Sequence, residues 1–425
     1  MLESFAASDR HPFEAAASGW RMPAEFEPHA ATWMAWPCRD SIWGEELAAV
    51  KRDYARLART IAGFEPLMMV APSHLAEEAR RECGPPAQVI VLPIDDSWTR
   101  DSGPTFLVND RGGLLATAFT FNAWGGKYHP HAEDARLARR IAAHLRVPVA
   151  ESSLVLEGGS IFSDGEGTLL TTESCLLHPN RNPGMSKAEI EAELKRMLGA
   201  RTVIWLPGDA TEVETNGHID GLVTLAAPAR ALVEQIEDSA DPRFEILREN
   251  RRALEKAVDA RGRRFEIAAI EEAGAEVSRG SRYCRSYANY YVLNGAVIAP
   301  AYGLDSDARV EGVLRRAYPG RRIVMLPIGS IAVGGGGFHC ITQQQPKANS
   351  VECGRMALNQ QREEYERLIR KDLQPANVGM LGIDHCVAGC RNDRRRNMQN
   401  RSVAARKPPI PNPPRETDVA RPPIR

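Results

Sequence analysis

VIWLPGDATEVETNGHIDGLVTLAAPARALVEQI, residues Val203 to Ile236, contains most of the logic of this chain. VIWLP is a short, β-branched apolar run of strand length. A polar cluster with His218 and Asp220 follows it. VTLAA and ARALVEQI then read as two strands joined at Pro228–Ala229, a turn signal. Downstream, Phe244–Ala260 places apolar residues at i, i+3 and i+4, the period of an amphipathic helix. The next apolar run is FEIAAI at Phe265. The unit is therefore strand–strand–helix–strand, with a polar cluster entering it.

The same grammar extends in both directions. Five apolar strands, VIVLP at Val89, VPVA at Val147, VIWLP at Val203, FEIAAI at Phe265 and IVMLP at Ile323, recur about every 55–60 residues, the scale of architectural repeats. Four of them follow amphipathic helices, at Ala132–Leu145, Ser186–Leu198, Phe244–Ala260 and Ser306–Ala317. SIFSDGEGTLLTT supplies another strand pair, turning at Asp164–Gly165. Four copies run from Trp98 to Leu326. A fifth is assembled from both ends: a strand around Cys340, His29–Trp36, a helix over Glu45–Ile61 and a strand at Leu67–Val70. Repeats closed by joining the two ends predict an α/β fold of the five-bladed, pseudo-symmetric propeller type around a central site. A doubly wound sheet would show β-α-β alternation without the doubled strands.

Composition is that of a globular protein: 425 residues, net charge −1, 43 % hydrophobic and 26 % charged. No apolar run is long enough to span a bilayer, and the N-terminus MLESFAASDRHPFE lacks the apolar core of a secretory signal. The overall charge gives no reason to expect nucleic acid or a membrane as partner. Eight scattered cysteines do not form a disulfide framework and suit a reducing cytoplasm. From Lys347 onward the chain turns basic, with 16 Lys and Arg against 9 Asp and Glu, and ends in Pro/Arg-rich sequence. The expected organisation is an N-terminal extension (1–18), a catalytic domain (19–346) and a mostly disordered C-terminal extension (347–425) with one helix near Met356–Leu373. His385, Cys386 and Cys390 in that tail offer three metal ligands but no fourth.

Chemistry concentrates after the repeat strands: DDSWTRDSGP, LEGGS, ETNGHIDG and GGGGFHC. In a radial repeat, equivalent positions face one axis, so Asp101, Glu157, His218, Asp220 and Cys340 converge. Each also has a plain reading. Cys340 fits a buried core cysteine, His218 a satisfied histidine, and Asp101 an ion pair with Arg100. On a strand, His218 and Asp220 would share a face, and Gly334–Gly337 would let the backbone approach a ligand closely. A thiol, an imidazole and three carboxylates in a water-poor pocket are the parts of nucleophilic thiol chemistry on a cation. Carboxylates oppose thiolate formation unless the substrate is itself positive, and a guanidinium fits two carboxylates in a fork.

These segments, with MPAEFEPHAATWMAWP (Met22–Pro37), FNAWGGKY (Phe121–Tyr128), LEGGSIFSDGEGTLLTTESCLLHPNRNP (Leu156–Pro183) and HCITQQQP (His339–Pro346), resemble the agmatine deiminase family of the peptidylarginine-deiminase-type guanidino-modifying superfamily. The resemblance covers about Gly19 to Pro346 and itself implies a five-bladed α/β propeller. It implies that Cys340 is the nucleophile, that Asp101 and Asp220 bind the guanidinium, that His218 is the acid and then the base, and that Glu157 holds His218. It further implies that Asp96, Trp98, Trp124 and Glu214 line the substrate site. The implied reaction is hydrolysis of agmatine to N-carbamoylputrescine and ammonia, in polyamine synthesis. No metal or organic cofactor is implied, and a homodimer is expected. The alternatives are a deiminase of free or peptidyl arginine, signalled by Arg282 or Arg285, and a propeller that only binds polyamines. Where the family carries Asn before Ile-His-Cys, this chain has Gly337 and Phe338, and a looser Cys340 loop is expected.

Overall fold

The computed structural model describes residues 13–348. The expected tail, with its helix and its histidine–cysteine cluster, lies outside the described residues, as does most of the N-terminal extension.

The strands form five separate sheets in an α/β arrangement. Four are built alike. An antiparallel pair comes first, a helix follows, and the chain returns as a strand parallel to the second of the pair. Val223–Ala227, Arg230–Gln235 and Glu266–Glu271 make one such sheet. Ile161–Ser163, Thr168–Thr172 and Thr202–Leu206 make another. Tyr291–Leu293, Ala296–Ala301 and Arg322–Pro327 make a third. The fourth, Thr105–Asn109, Leu114–Thr120 and Val149–Val155, gains Trp20–Arg21 on its outer edge. The fifth joins the two ends of the described chain. Gln343–Pro346 pairs antiparallel with His29–Ala35, which is followed in parallel by Leu67–Ala71 and Gln88–Val91.

Local chemistry explains where these elements begin and end. Ser186 caps the helix Lys187–Leu198 in a reciprocal capping box with Glu189, and Gly199 closes it in the left-handed conformation at φ 71°. The helix Phe244–Lys256 stops short of the expected Ala260. Asp259 takes the backbone N–H groups of Arg261 and Arg263 at 2.9 and 2.8 Å, a turn that competes with further helix. The strand expected from Val147 starts after Pro148, which has no N–H for a ladder, and continues through ESSLV.

Two other expectations differ. Cys340 is not on a strand but in the turns just before Gln343–Pro346, and the Ile219–Gly221 segment beside His218 is a 3₁₀ turn rather than a strand. Apolar faces of the sheets and helices pack into five buried clusters, the largest containing Trp36, Trp43, Tyr54 and Trp98. No helix among the described residues is long and apolar enough to cross a membrane.

Candidate active site

Cys340, His218, Asp101, Asp220 and Glu157 come together although they leave four different sheets. Gly159 is why they can. A Cβ there would lie 2.6 Å from His218 Nδ1 and 2.9 Å from carboxylate oxygens of both Asp101 and Asp220. Its N–H donates to Asp101 Oδ1 at 2.9 Å. Asp101 stands on the short helical turn Thr99–Ser102, and its Oδ2 accepts from Trp124 Nε1 at 2.9 Å. Its neighbour Arg100 does not pair with it. That guanidinium turns to Gln344 Oε1 at 2.7 Å and Glu25 at 3.5 Å.

The loop carrying His218 is organised by Glu212, whose carboxylate accepts from the backbone of Glu214, Thr215 and Gly217. His218 Nε2 meets Glu157 Oε2 at 3.4 Å, while Nδ1 has no hydrogen-bond partner and points between Asp101 and Asp220 at 3.9 and 4.0 Å. Burial alone would lower the pKa of this imidazole. The Asp101 charge and the bonds to Cys175 and Glu157 overcome that and hold it well above the ordinary histidine range. Glu157 is fully buried against Arg181, Nε to Oε1 2.7 Å, and both side chains are 0 % exposed. Against burial, the His218 hydrogen bond and the Arg181 charge keep this carboxyl below its usual range.

Cys340 Sγ lies 3.7 Å from Asp220 Oδ2. Burial first, then the charges of Asp220 and Asp101, push the thiol well above the ordinary cysteine value. Its loop is held by Asn289, which saturates its hydrogen-bonding capacity here. Oδ1 accepts from the N–H groups of His339 and Cys340 at 3.1 and 3.3 Å. Nδ2 donates to the Asp220 carbonyl at 3.3 Å and to Cys340 Sγ at 3.2 Å. A Cβ at Gly337 would fall 2.5 Å from Asn289 Oδ1, so glycine there leaves room for this brace. The loop before Cys340 is thus tied through Asn289, where Gly337 suggested looseness. Gly334 and Gly336 let the chain pass Trp43 and Trp98, which a Cβ would approach within 2.3 and 2.5 Å.

A cleft of about 330 Å³ opens onto Cys340 and Asp101 and is walled by Trp98, Trp124, Tyr128 and Glu214. Trp98 stacks on Trp43 at 5.4 Å and meets Trp124 edge-on at 6.4 Å. Trp124 itself is left-handed, at φ 55°, a cost usually found where geometry serves a site. Tyr128 donates its hydroxyl proton to Glu214 at the far wall.

Asp96 does not line this cleft. Its carboxylate lies 3.5 Å from Arg39 Nε and accepts from the Ser97 N–H at 2.8 Å. Burial raises its pKa to about 6 despite Arg39. Of the two arginines near the site, Arg285 pairs with Glu272 at 3.1 Å, while Arg282 pairs with no carboxylate among the described residues and donates to Tyr128 Oη at 3.4 Å, the hydroxyl that bonds Glu214.

Sequence reasoning missed Arg181, Asn289, Tyr128 and the Glu25–His339 pair. His339 Nε2 meets Glu25 Oε2 at 2.8 Å, and its Nδ1 meets Asp220 Oδ2 at 2.8 Å. Against burial, the charge and hydrogen bond of His339, with Arg100, hold the Glu25 carboxyl down at about 2. Arg181, Asn289 and Glu25 lay inside polar, strongly patterned segments (HPNRNP, SYANYY, MPAEFEP) and are buried polar residues that need partners, whereas the half-buried Tyr128 in WGGKY gave no such signal.

The Porphyromonas-type peptidyl-arginine deiminase family matches residues 21–346. The chain is 39 % identical over 354 residues to an agmatine deiminase of Pseudomonas aeruginosa (strain LESB58), covering 78 % of this chain and 96 % of that one. It is 39 % identical over 355 residues to an agmatine deiminase of Stutzerimonas stutzeri (strain A1501), covering 77 % and 96 %. The solved agmatine deiminase of Enterococcus faecalis superposes with a TM-score of 0.77 at 33 % identity, over 80 % of this chain and all of that one.

Proposed function

The chain belongs to the Porphyromonas-type peptidyl-arginine deiminase family, and we propose that it hydrolyses agmatine to N-carbamoylputrescine and ammonia through a covalent intermediate on Cys340. One observation carries this reading. The thiol faces a pair of carboxylates at one end of the cleft, and the other end is closed by Glu214, Tyr128 and tryptophan faces. That is a receptor for a molecule positive at both ends.

The guanidinium is held between Asp101 and Asp220. Its charge favours the thiolate that those carboxylates otherwise oppose, and the thiol proton leaves to water. Sγ bonds to the guanidinium carbon. His218 passes its Nδ1 proton to the departing nitrogen, the C–N bond breaks, and ammonia leaves an S-alkylthiouronium. Neutral His218 then takes a proton from water as its oxygen bonds to the same carbon. The C–S bond breaks as the remaining hydroxyl proton of the adduct leaves to solvent, where the released ammonia takes up a proton, which returns the thiolate and releases the neutral ureido product. Glu157, anchored by Arg181, holds the imidazole for both transfers. Asn289 donates to the sulfur throughout.

The fold supporting this is read as a five-bladed propeller, each of the five sheets being one blade. Residues 19–346 form the catalytic domain, and the active form is a homodimer in the cytoplasm that serves putrescine formation. The test is ammonia release with agmatine and with arginine in parallel, with identification of the ureido product. Release with agmatine at least a hundredfold faster is expected. Release with arginine alone would overturn the assignment of the Glu214 end and give the substrate carboxylate to Arg282, which lines the cleft beside Cys340 without a carboxylate of its own.

A further inference from the structure

The proposed reaction leaves a buried thiol beside His218 unused. On the Nε2 edge of His218, opposite the Nδ1 edge that faces Asp101 and Asp220, lies Cys175, 0 % exposed and free of disulfide. It belongs to the turn Glu173–Leu176 that follows the strand Thr168–Thr172. Glu157 Oε2 stands 3.4 Å from His218 Nε2 and 3.9 Å from Cys175 Sγ, and the three donor atoms lie within 4.8 Å of one another.

We propose that Glu157, Cys175 and His218 form a binding site for a thiophilic divalent cation, Zn²⁺ foremost, and that its occupancy switches the enzyme off. The spacing fits. Bond lengths of about 2.0–2.3 Å to oxygen, nitrogen and sulfur place the corners of a tetrahedral site roughly 3.3–3.7 Å apart. The cluster is already within a few tenths of an ångström of that on its two measured edges. The donor set fits as well. One sulfur, one imidazole nitrogen and one carboxylate oxygen select a borderline-soft metal over Mg²⁺ or Ca²⁺, and leave a fourth position for water. Arg181 occupies the other oxygen, Oε1, and so fixes Oε2 toward the cluster without competing for it.

Charge does not oppose loading. The cation displaces the thiol proton and the proton shared between His218 and Glu157. Two protons leave as one dication enters, so the buried charge is unchanged. Of the three ligands only His218 lines the cleft beside Cys340 and Asp220, so loading requires the imidazole to turn aside. Once bound at Nε2, the ion leaves His218 unable to cycle a proton at Nδ1. Inhibition rests on the proposed role of His218; binding does not.

The experiment uses the full chain with Co²⁺ as the spectroscopic substitute for Zn²⁺. One equivalent gives a thiolate-to-cobalt charge-transfer band in the near ultraviolet, bleached by Zn²⁺. The band persists in Cys340→Ala. In Cys175→Ser it is lost, and half-inhibition of agmatine turnover needs at least tenfold more Zn²⁺. If Cys175→Ser does not fold, His218→Gln takes its place and also loses the band. No band at one equivalent, a band that survives Cys175→Ser, or one that disappears in Cys340→Ala overturns the site. The last outcome would put the metal on the nucleophile. Because the band is read without substrate, failure of agmatine turnover would not be mistaken for failure of the site.

Discussion

Asn289→Ala tests whether the thiol is tuned by a neutral donor that no charge-based reading of the sequence would find. The side chain accepts from two backbone N–H groups and from the Cys340 thiol at 3.4 Å, and it donates to the Asp220 carbonyl and to Cys340 Sγ at 3.2 Å. Hydrogen bonds to charged partners contribute about 1.5–3 kcal/mol. At about 1.4 kcal/mol per pKa unit, losing the donor to sulfur raises the thiol by a further one to two units. At neutral pH the thiolate fraction, and kcat/KM for agmatine, should fall about ten- to a hundredfold. His339 N–H keeps a second acceptor in the Asn289 carbonyl, but Cys340 N–H loses its only side-chain acceptor. An orphaned buried donor costs about 1–3 kcal/mol, read as a lower urea midpoint. Asn289→Asp separates the two effects, because it retains the acceptor oxygen but puts a carboxylate where the amide donated. At 3.2 Å and an effective dielectric of about 20 the repulsion is about 5 kcal/mol, so activity should fall further than in Asn289→Ala. The reasoning fails if Asn289→Ala, shown to be folded, keeps kcat/KM within threefold, or if Asn289→Asp is the more active of the two.

The other predictions concern the groups behind the thiol. Arg181→Met strands the fully buried Glu157 and should cost about 3–5 kcal/mol of stability by urea denaturation; a loss under 1 kcal/mol would show that His218 alone balances the carboxylate. Glu25, held at about 2 against an ordinary 4.5, stabilises the fold above pH 4.5 by about 3 kcal/mol, and that contribution is lost as pH falls through 2. The unfolded chain binds the proton more readily, so stability rises with pH across this window, and Glu25→Gln should flatten the acid limb of the urea midpoint. Cys340→Ser should bring turnover below detection with an unchanged midpoint; retained turnover would exclude the covalent route. A chain ending at Ala348 should keep kcat/KM within twofold, and a larger loss would give the tail a catalytic part.

Much of this molecule was legible because its signals are local and repeated. The apolar period of Ser186–Leu198, the Asp164–Gly165 turn and the strand pair split at Pro228–Ala229 each act over a few residues, and such signals recur until the repeat is visible. The joining of the two chain ends in a fifth sheet was legible for a different reason, that four complete units left one set of parts over at each end, but the strand expected around Cys340 lies at Gln343–Pro346. Backbone detail at the site was less accessible. His218 and Asp220 face the same pocket, yet from a 3₁₀ turn rather than a strand, because Glu212 gathers the preceding N–H groups into a tight loop. Arg181, Asn289 and Glu25 act on residues 24, 51 and 314 positions away, and no spacing rule reaches that far. Asp96 shows the converse. It sits five residues before Asp101 in the same acidic segment, but the Arg39 guanidinium holds it outside the cleft.

In the proposed reaction, the electrostatics of the site also bear on how a turnover ends. In the empty pocket burial, and then the carboxylates of Asp220 and Asp101, hold the thiol protonated and unreactive, so adventitious electrophiles meet a poor nucleophile. A bound guanidinium reverses this, because one cation between two carboxylates and a sulfur neutralises what had opposed ionisation. Hydrolysis then converts that cation to a neutral ureido group. The product loses its attraction to both carboxylates at the step that frees the thiolate, and the thiolate again faces two uncompensated charges and takes up a proton. Activation and shut-off thus follow from one quantity, the charge on the substrate's carbon–nitrogen group. His339, itself held at Nε2 by Glu25, keeps Asp220 ionised through the cycle by a hydrogen bond and a charge that outweigh its burial. A carboxylate free to protonate would have relaxed the thiol in the empty site and weakened the guanidinium's grip in the filled one.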